Sequence, residues 1–388
     1  MRKVFEICSI ITIMGLCVCS LSQEKWKQKM DMPNTEFAEH TDTVPHVEPV
    51  TPYRAVFNIF QVSLPHAIAT NDWDNAITVL HLNEDGLKKE VLSRDFLNEV
   101  SGGYISSTPP FSDEWIGYGQ TRGYERFNLR TREFKDQLIC TRFEERIFAC
   151  RALVPEKNIF AFMIQNIDDQ NVEHRVFRTF DLSGQEPKSI ASLNAGILPG
   201  GSKGATVGVL DSLLFYYDRE SEKLISLNSA LQPANHPLSD AFNKNKEELF
   251  KLLELKIHPS LPFAIVHSLK SASDKDITFV GVLSWKNRAH DLFPFIGMKK
   301  DMSILNFSFS QDGKYLAWEA MDSGVDPGKK AQFWIAPIDK DIPGCIGKPQ
   351  LLGNSLGAYS TVITTAWARN PNTFVVSSNE AIYWWHIK

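Results

Sequence analysis

The sequence predicts an all-β fold, a seven-bladed β-propeller with a short helical insertion, and three observations support this prediction. A tight-turn motif, FSFSQDGKYLAWEAM, occupies residues 307–321. Apolar stretches that resemble its second strand recur along the chain, and one octapeptide is nearly repeated across half of its length. Units of about 40 to 50 residues, each holding one small sheet, are typical of propellers. Six or eight blades are the nearest alternatives.

The motif predicts a β-hairpin. Asp312-Gly313 favours a tight turn, because glycine adopts positive φ without a Cβ penalty. Apolar and polar residues alternate around Phe309 and Tyr315 on the two sides of the turn, as in half-buried antiparallel strands. The apolar run AQFWIA at 331–336 predicts a third strand after a polar loop.

The repeats predict one sheet for each unit. SLPHAIAT at 63–70 matches SLPFAIVH at 260–267, and each leads through a polar loop into another apolar strand. The recurring strands have seven anchors, separated by 44 to 59 residues: His66, Trp115, Ile159, Leu213, Phe263, Tyr315 and Phe374. One segment departs from this pattern. Residues 239–255 lack Gly and Pro and place Phe242, Leu249 and Leu253 near helical spacing, which predicts a short inserted helix.

The stretch FSQDGKYLAW at 309–318 resembles the Phe-Ser-Pro-Asp-Gly-Lys repeat of TolB-like and related WD-repeat-like propellers. Gln311 replaces the usual proline, whereas 153–155 and 257–259 keep the proline without Asp-Gly. The resemblance implies that the motif is the turn between the first two strands of a blade. It implies the fold class and not a particular TolB-like role.

Three segments are predicted along the chain. Residues 1–22 join a basic start to a short apolar run and small residues before Gln23, which is typical of a secretory signal peptide. Cys17 and Cys19 are alternatively the lipidation site of a bacterial lipoprotein. Residues 23–52 are polar and contain three prolines, which predicts a flexible tether. Residues 53–388 form the propeller domain, in a protein that is periplasmic, attached to the cell envelope or secreted.

The ends of the propeller domain are expected to meet. A propeller has exposed strand edges unless its last blade contacts its first. The apolar runs YRAVFNIFQ at 53–61 and AIYWWHIK at 381–388 are therefore predicted to belong to adjacent blades or to one closing blade.

The charge is unevenly distributed. A formal net charge of −5 implies no general attraction to nucleic acid or to an anionic membrane. Residues 121–151, however, hold eight cations against five acids. Arginine prefers carboxylate or phosphate partners, so an anion or partner patch is predicted; the alternative is a solvated surface paired with nearby glutamates. The patch comprises Arg122, Arg126, Arg130, Arg132, Arg142 and Arg146.

Two cysteines are candidates for a disulfide. The segment QLICTRFEERIFACRA at 137–152 predicts a hairpin that turns at 144–146 and places Cys140 opposite Cys150. An exported chain meets an oxidising compartment, where such a pair forms a bond. The alternative is two buried thiols on neighbouring strands.

No catalytic set stands out. GNSLG at 353–357 matches a nucleophile elbow, but no Asp follows Ser355 and only Glu380 and His386 remain as partners. The histidines are scattered and no two cysteines outside the predicted signal peptide are close in sequence, so a structural zinc site is not expected. No metal and no other cofactor is predicted. Two functions remain: an exported binding or scaffold propeller for a protein, peptide or glycan, or a propeller lyase or hydrolase acting on a polysaccharide or peptide. Converging titratable side chains in the channel favour the enzyme, and small apolar ones favour binding.

Overall fold

The computed structural model describes part of the chain. The described residues are 46–49, 58–61, 67–71, 77–83, 86–93, 115–119, 123–128, 131, 133–140, 145–167, 173–197, 207–218, 220–249, 251–272, 275–286, 291–295, 302–322, 332–342, 344–353, 362–368, 373–378 and 381–387. The predicted signal peptide, including Cys17 and Cys19, lies outside them.

The described residues form seven antiparallel sheets, each built from strands in chain order. A strand near the start of the chain, β1 (His46–Pro49), joins the last sheet. Sheet 1 holds β2 (Asn58–Gln61), β3 (Ala67–Asn71), β4 (Ile77–Asn83) and β5 (Gly86–Ser93). Sheet 2 holds β6 (Trp115–Gly119), β7 (Gly123–Asn128) and β8 (Phe134–Leu138). Sheet 3 holds β9 (Glu145–Val154), β10 (Ile159–Ile167), β11 (Glu173–Asp181) and β12 (Lys188–Ile197).

The second half of the chain continues the pattern. Sheet 4 holds β13 (Val207–Leu210), β14 (Leu213–Asp218) and β15 (Lys223–Leu227), and is followed by helix α1 (Pro237–Lys244). Sheet 5 holds β16 (Lys251–Ile257), β17 (Phe263–Ala272), β18 (Lys275–Ser284) and β19 (Asp291–Pro294). Sheet 6 holds β20 (Met302–Phe309), β21 (Tyr315–Asp322), β22 (Gln332–Pro337) and β23 (Gln350–Gly353). Sheet 7 holds β24 (Val362–Ala368), β25 (Thr373–Ser378) and β26 (Ala381–His386), together with β1.

The repeat anchors locate the second strands of the sheets. Five of the seven lie within the first two residues of a second strand: Ile159, Leu213, Phe263, Tyr315 and Phe374. The spacing of these anchors along the sequence therefore corresponds to one sheet in each repeat. The count of seven blades stays a prediction, because connecting stretches such as 94–114 lie outside the described residues.

The Asp-Gly motif forms the predicted hairpin between β20 and β21. The Gly313 amide donates to the Ser310 carbonyl at 2.9 Å, and Gly313 takes a φ of +70°. The Asp312 side chain accepts from the Lys314 amide at 3.0 Å and from the Ser310 hydroxyl at 2.8 Å. The third predicted strand is β22, which pairs with β21.

Buried side chains pack between neighbouring sheets. One cluster lies between sheets 6 and 7, and a second lies between sheets 7 and 1. β26 contributes to both clusters, with Tyr383 and Trp385 in the first and Ile382 and Trp384 in the second. This agrees with side chains that alternate between the two faces of a strand.

The two ends of the propeller domain meet, as predicted. Ile59 of β2 packs in the same cluster as Trp384 of β26, so the two predicted terminal runs lie in neighbouring sheets. The predicted tether is wrong for residues 46–49, because β1 pairs with β26 in the register His46 to Trp384. The edge of β26 needs partners for its backbone groups, and this requirement outweighs the polar composition of the segment.

The inserted helix is shorter than residues 239–255. Helix α1 ends at Lys244, and Leu253 lies in β16. The segment 251–257 pairs with β17, and this pairing outweighs its helix propensity. No helix within the described residues is long and apolar enough to cross a membrane.

Side chains link the first hairpins of sheets 5, 6 and 7. The His258 Nε2 donates to the Gly313 carbonyl at 2.8 Å. The side-chain Nε2 of Gln311 donates to the Trp367 carbonyl at 3.2 Å, and the Trp367 indole nitrogen donates to the Ser308 carbonyl at 3.1 Å. Consecutive sheets are therefore joined by polar contacts as well as by apolar packing.

Candidate functional site

The first strands of the sheets approach one another. β24 contacts both β2 and β20, and β13 contacts both β9 and β16. Side chains on these strands therefore come from sheets that are far apart in sequence but close in space. Such positions are the natural place to look for a site that several sheets build together.

β-Bulges interrupt four of the first strands, namely β9, β16, β20 and β24. A bulge inserts one residue, turns the strand and re-aims a side chain, and bulges are common beside functional sites. In β16 the inserted residue is Leu253, which is 40% exposed, whereas Leu252 and Leu255 are buried. The bulge thus presents an apolar side chain to solvent on a first strand.

A polar group lies beside this leucine. Glu254 of β16 is directly opposite His267 of β17, so their side chains share one face of the sheet. Lys256 lies two residues further along β16, and its Nζ is 3.0 Å from Glu254 Oε1. Leu253, Glu254, Lys256 and His267 together are called the β16–β17 cluster.

The side chains of the cluster differ in their exposure to solvent. The side chains of Glu254 and Lys256 are 29% and 43% exposed, whereas His267 is 7% exposed. Burial lowers the pKa of His267, and the nearby Glu254 carboxylate opposes this shift with a smaller effect. Within the described residues the His267 Nε2 has no hydrogen-bond partner. The cluster therefore offers a carboxylate, an ammonium group and a neutral imidazole along one face.

A second buried carboxyl lies in sheet 6. Glu319 of β21 is 3% exposed, and the Asn306 side-chain amide donates to its Oε2 at 2.6 Å. Asn306 lies at the bulge of β20 with a φ of +52°, a conformation that asparagine tolerates better than most residues. Burial raises the pKa of Glu319, and the Asn306 hydrogen bond lowers it by less.

Glu319→Gln is expected to stabilise the protein at pH 7. A carboxyl whose folded pKa is raised contributes stability below its unfolded pKa and loses it as pH rises through the folded value. The glutamine keeps the acceptor for Asn306 without the buried charge. We expect the melting temperature to rise by about 2 °C at pH 7 and the gain to disappear near pH 4.

Glu156→Gln is the matched control, because Glu156 is exposed and its neutralisation is expected to leave the melting temperature unchanged. Thermal unfolding at both pH values checks the two variants. A Glu319→Gln protein that is less stable than the wild type at pH 7 contradicts the expected cost of the buried charge.

A buried ion pair holds sheet 3 together. Glu145 at the start of β9 is fully buried, and Arg178 of β11 donates to its two carboxylate oxygens at 3.1 and 2.5 Å. The pair spans β10, which lies between these strands. Removal of one partner from such a pair leaves a buried charge unpaired, so we interpret this pair as structural.

The predicted arginine patch is only partly described. Arg126 lies in β7 of sheet 2, and Arg146 lies exposed in β9 of sheet 3. The other four predicted members lie outside the described residues: Arg122, Arg130, Arg132 and Arg142. The anion or partner patch therefore stays a prediction.

The predicted cysteine hairpin is wrong. Cys140 follows β8 of sheet 2, whereas Cys150 lies in β9, which pairs with β10 of sheet 3. The segment between them leads from one sheet into the next, because β9 serves as the first strand of its own sheet. Both side chains are buried in one cluster, and no disulfide joins them. Burial raises the pKa of Cys345, the third described cysteine.

The described residues contain no group of three or more His, Cys, Asp or Glu side chains placed to hold a metal ion. The predicted nucleophile elbow is described only at Gly353, the last residue of β23.

Comparison with known proteins finds likeness at the level of the fold. No protein-family model matches the sequence, and no curated protein matches it. A solved oligogalacturonate lyase in complex with manganese is similar with a TM-score of 0.53 and 10% identity, over 91% of this chain and 99% of that chain. A chain of a mitotic checkpoint complex is similar with a TM-score of 0.50 and 11% identity, over 92% of this chain and 98% of that one.

The fold is a β-propeller. Both neighbours are β-propellers, so the predicted fold class is confirmed, whereas the TolB-like or WD-repeat-like resemblance of residues 309–318 stays a prediction. At these identities the likeness shows the fold alone. In a propeller the blades surround a central channel, and the first strands of neighbouring sheets approach one another here, as in that arrangement.

The sequence contains a strand pattern at this cluster, which the helix predicted over residues 239–255 partly overlaps. In LELKI at 253–257 polar and apolar residues alternate, which puts Glu254 and Lys256 on one face of a strand. His267 ends the repeated octapeptide at 260–267. The register that joins the two segments is a property of the folded sheet.

Proposed function

We propose that this protein is an exported binding propeller that engages a peptide or glycan at its first strands. The observation that carries the proposal is the β16–β17 cluster. An exposed leucine adjoins a half-exposed carboxylate and ammonium group there, on a first strand of the propeller. The signal-peptide pattern at 1–22 supports export to the cell envelope.

The chemistry of the cluster suits a ligand with hydroxyl or amide groups. The Glu254 carboxylate accepts hydrogen bonds, and the Lys256 ammonium group donates them. Leu253 offers an apolar surface for the carbon side of a sugar ring or for a side chain of a peptide. Binding sites commonly combine apolar contacts with a few polar groups that fix the orientation of the ligand.

The test is binding to a glycan array and to a displayed peptide library. The double variant Glu254→Gln/Lys256→Met removes both charges of the cluster and is expected to lose at least about tenfold in affinity, because hydrogen bonds to charged groups are the stronger ones. The matched control is Glu156→Gln/Lys157→Met, which alters an exposed acid and base on the 3₁₀ turn Pro155–Lys157. A ligand that binds the cluster variant as tightly as the wild type contradicts the proposal.

A propeller lyase or hydrolase is the second candidate, and His267 favours it. A buried, neutral imidazole opposite a carboxylate is a suitable general base. The oligogalacturonate lyase among the structural neighbours makes polygalacturonate a reasonable first substrate to try. Mass spectrometry of the polymer after incubation would detect cleavage, and His267→Gln is expected to abolish it. An intact polymer and intact library peptides would reject the enzyme and leave the binding proposal standing.

A further inference from the structure

Sheet 3 holds an arginine that lacks a carboxylate partner. Arg151 lies in β9, the first strand of this sheet, and is partly exposed. Its Nη1 donates to the Cys150 carbonyl of its own strand at 2.7 Å. Within the described residues its Nε and Nη2 atoms make no hydrogen bond, and no carboxylate lies within ion-pair distance of it. The hydrogen-bonding capacity of this guanidinium group is therefore only partly used.

The surroundings of Arg151 are apolar. It lies opposite Ala161 of β10, which belongs to the buried cluster between sheets 3 and 4. Ala149 precedes Arg151 by two residues on the same face of β9 and packs against that cluster, as does Val209 of β13. The first strands β9 and β13 also contact each other. Arg151 therefore lies on the face of sheet 3 that packs toward sheet 4.

A second arginine of sheet 3 shows how such a charge is paired inside the protein. Arg178 of β11 donates two hydrogen bonds to the buried Glu145 carboxylate. Arg178 lies opposite Phe162, which belongs to the cluster on the other face of the sheet. The Glu145 carboxylate is therefore already bound on that face, and the described part of the chain supplies no equivalent acid to Arg151.

A charge that is shielded from water and left unpaired is unfavourable. Burial lowers the pKa of Arg151, and the smaller opposing effect comes from Cys150 and not from a carboxylate. Arginine nevertheless stays charged at neutral pH, because its ordinary pKa lies far above 7. Shielding this charge from water without an opposite charge costs free energy, and a bound anion would offset that cost.

We propose that Arg151 binds an oxyanion of an external ligand between the first strands β9 and β13. The planar guanidinium group fits a carboxylate, a sulfate or a phosphate group. Because the Cys150 carbonyl holds Nη1, the Nε and Nη2 atoms remain for two parallel hydrogen bonds to one oxyanion. This site lies in sheet 3 and does not depend on the β16–β17 cluster of sheet 5.

Arginine-selective labelling tests the proposal in the wild-type protein. Phenylglyoxal modifies arginine side chains, and mass spectrometry of the resulting peptides measures each arginine separately. A single arginine that binds a small anion is expected to have a dissociation constant on the order of millimolar. At roughly ten times that concentration the anion is expected to slow the labelling of Arg151 about tenfold. Acetate, sulfate and phosphate are each compared with chloride at equal ionic strength.

The three anions distinguish the possible ligand groups. Protection of Arg151 by acetate alone supports a ligand that carries a carboxylate, whereas protection by sulfate or phosphate supports a tetrahedral oxyanion. Arg178 is the internal reference, because Glu145 holds its guanidinium group and its labelling is expected to be slow in every salt. Equal labelling of Arg151 in all four salts overturns the proposal.

Thermal unfolding of substituted proteins provides a second test. The anion that protects Arg151 is expected to raise the wild-type melting temperature by about 2 °C relative to chloride, and Arg151→Met is expected to lose this rise. In chloride Arg151→Met is expected to melt at or above the wild-type temperature, because the unpaired charge is gone. Lys157→Met is the matched control, since it removes an exposed positive charge from the 3₁₀ turn after β9 and is expected to keep the rise.

Two results of the second test overturn the proposal. Sulfate and phosphate stabilise folded proteins without a specific site, so an equal rise in the wild type and in Arg151→Met shows only that general effect. A rise that persists in Arg151→Met but is lost in Glu254→Gln/Lys256→Met places the anion at the β16–β17 cluster. If Arg151→Met does not fold, the labelling of the wild type decides. Because the probes are neither peptides nor glycans, failure at Arg151 leaves the proposed function standing.

Discussion

Removal of residues 381–388 is expected to abolish folding. β26 lies between β25 and β1, so its loss leaves β1 without a partner and exposes one edge of β25. Its side chains also fill two clusters, with Trp385 packed toward sheet 6 and Trp384 toward sheet 1. Truncation of one buried aromatic side chain costs about 3–5 kcal/mol, and a whole domain is stable by only about 5–15 kcal/mol. Loss of both tryptophans together with a central strand therefore exceeds the available stability.

Circular dichroism and thermal unfolding check this expectation, and N-terminal truncations provide matched controls. A chain that begins at His46 keeps β1 and is expected to melt at the same temperature as the full-length protein. A chain that begins at Val50 lacks β1, exposes the edge of β26 and is expected to melt several degrees lower. If the protein without residues 381–388 unfolds cooperatively at the intact melting temperature, closure through β26 does not stabilise the ring.

Local chemistry made much of the fold predictable. The Asp312-Gly313 turn depends on positive φ at a glycine, and this requirement is visible in the sequence. Second strands such as β17 and β25 are buried along most of their length, so their apolar runs recur and serve as anchors. Strand β1 could not be predicted in this way. Its four residues hold one apolar side chain, Val47, and end in proline, and they form a strand because the distant β26 presents an open edge.

Other features depended on which strands pair, and sequence patterns do not settle that choice. The sequence around Cys140 and Cys150 predicts one hairpin. In the structure, β8 before Cys140 belongs to sheet 2, whereas β9, which contains Cys150, belongs to sheet 3. In the β16–β17 cluster, Glu254 and His267 are thirteen residues apart and meet only through the register of two strands. Asn306 likewise reaches Glu319 because a bulge changes the path of β20.

Acidification is expected to destabilise the propeller through His258. This buried side chain lies at the turn between β16 and β17. Its Nδ1 accepts hydrogen bonds from the amides of Ser260 at 3.1 Å and Leu261 at 2.9 Å. Its Nε2 donates to the Gly313 carbonyl of sheet 6 at 2.8 Å. The bonds to Nδ1 require a neutral imidazole, and protonation at this nitrogen would break both of them.

The direction of the effect follows from the pKa. Burial lowers the pKa of His258, and the hydrogen bond to Gly313 opposes this shift only in part. The unfolded chain, with a histidine pKa of about 6.5, therefore binds the proton before the folded protein does. The stability that depends on neutral His258 is present above pH 6.5 and is lost as pH falls from there through the folded pKa. Burial lowers the pKa of His267 as well, so it acts in the same direction.

Two substitutions separate the structural role of His258 from its titration. His258→Ala removes three hydrogen bonds and the ring contacts with Phe263 and Phe309, and is expected to cost about 3–4 kcal/mol at pH 7. His258→Asn keeps an oxygen acceptor near the Nδ1 position but does not titrate. We expect this variant to be less stable than the wild type at pH 7 and to lose less stability between pH 7 and pH 5.

Urea unfolding at a series of pH values measures both effects, and hydrogen exchange of residues 308–315 reports on the joint to sheet 6. In the wild type, exchange of this hairpin is expected to accelerate as pH falls below 6, beyond the intrinsic pH dependence of exchange. In His258→Asn the exchange is expected to be faster at pH 7 but to change less on acidification. We assign the pH dependence of the unfolding free energy that remains in this variant to His267. The double variant His258→Asn/His267→Gln is expected to remove most of that dependence. If the unfolding free energy of His258→Asn depends on pH as steeply as that of the wild type, another group causes the loss of stability in acid.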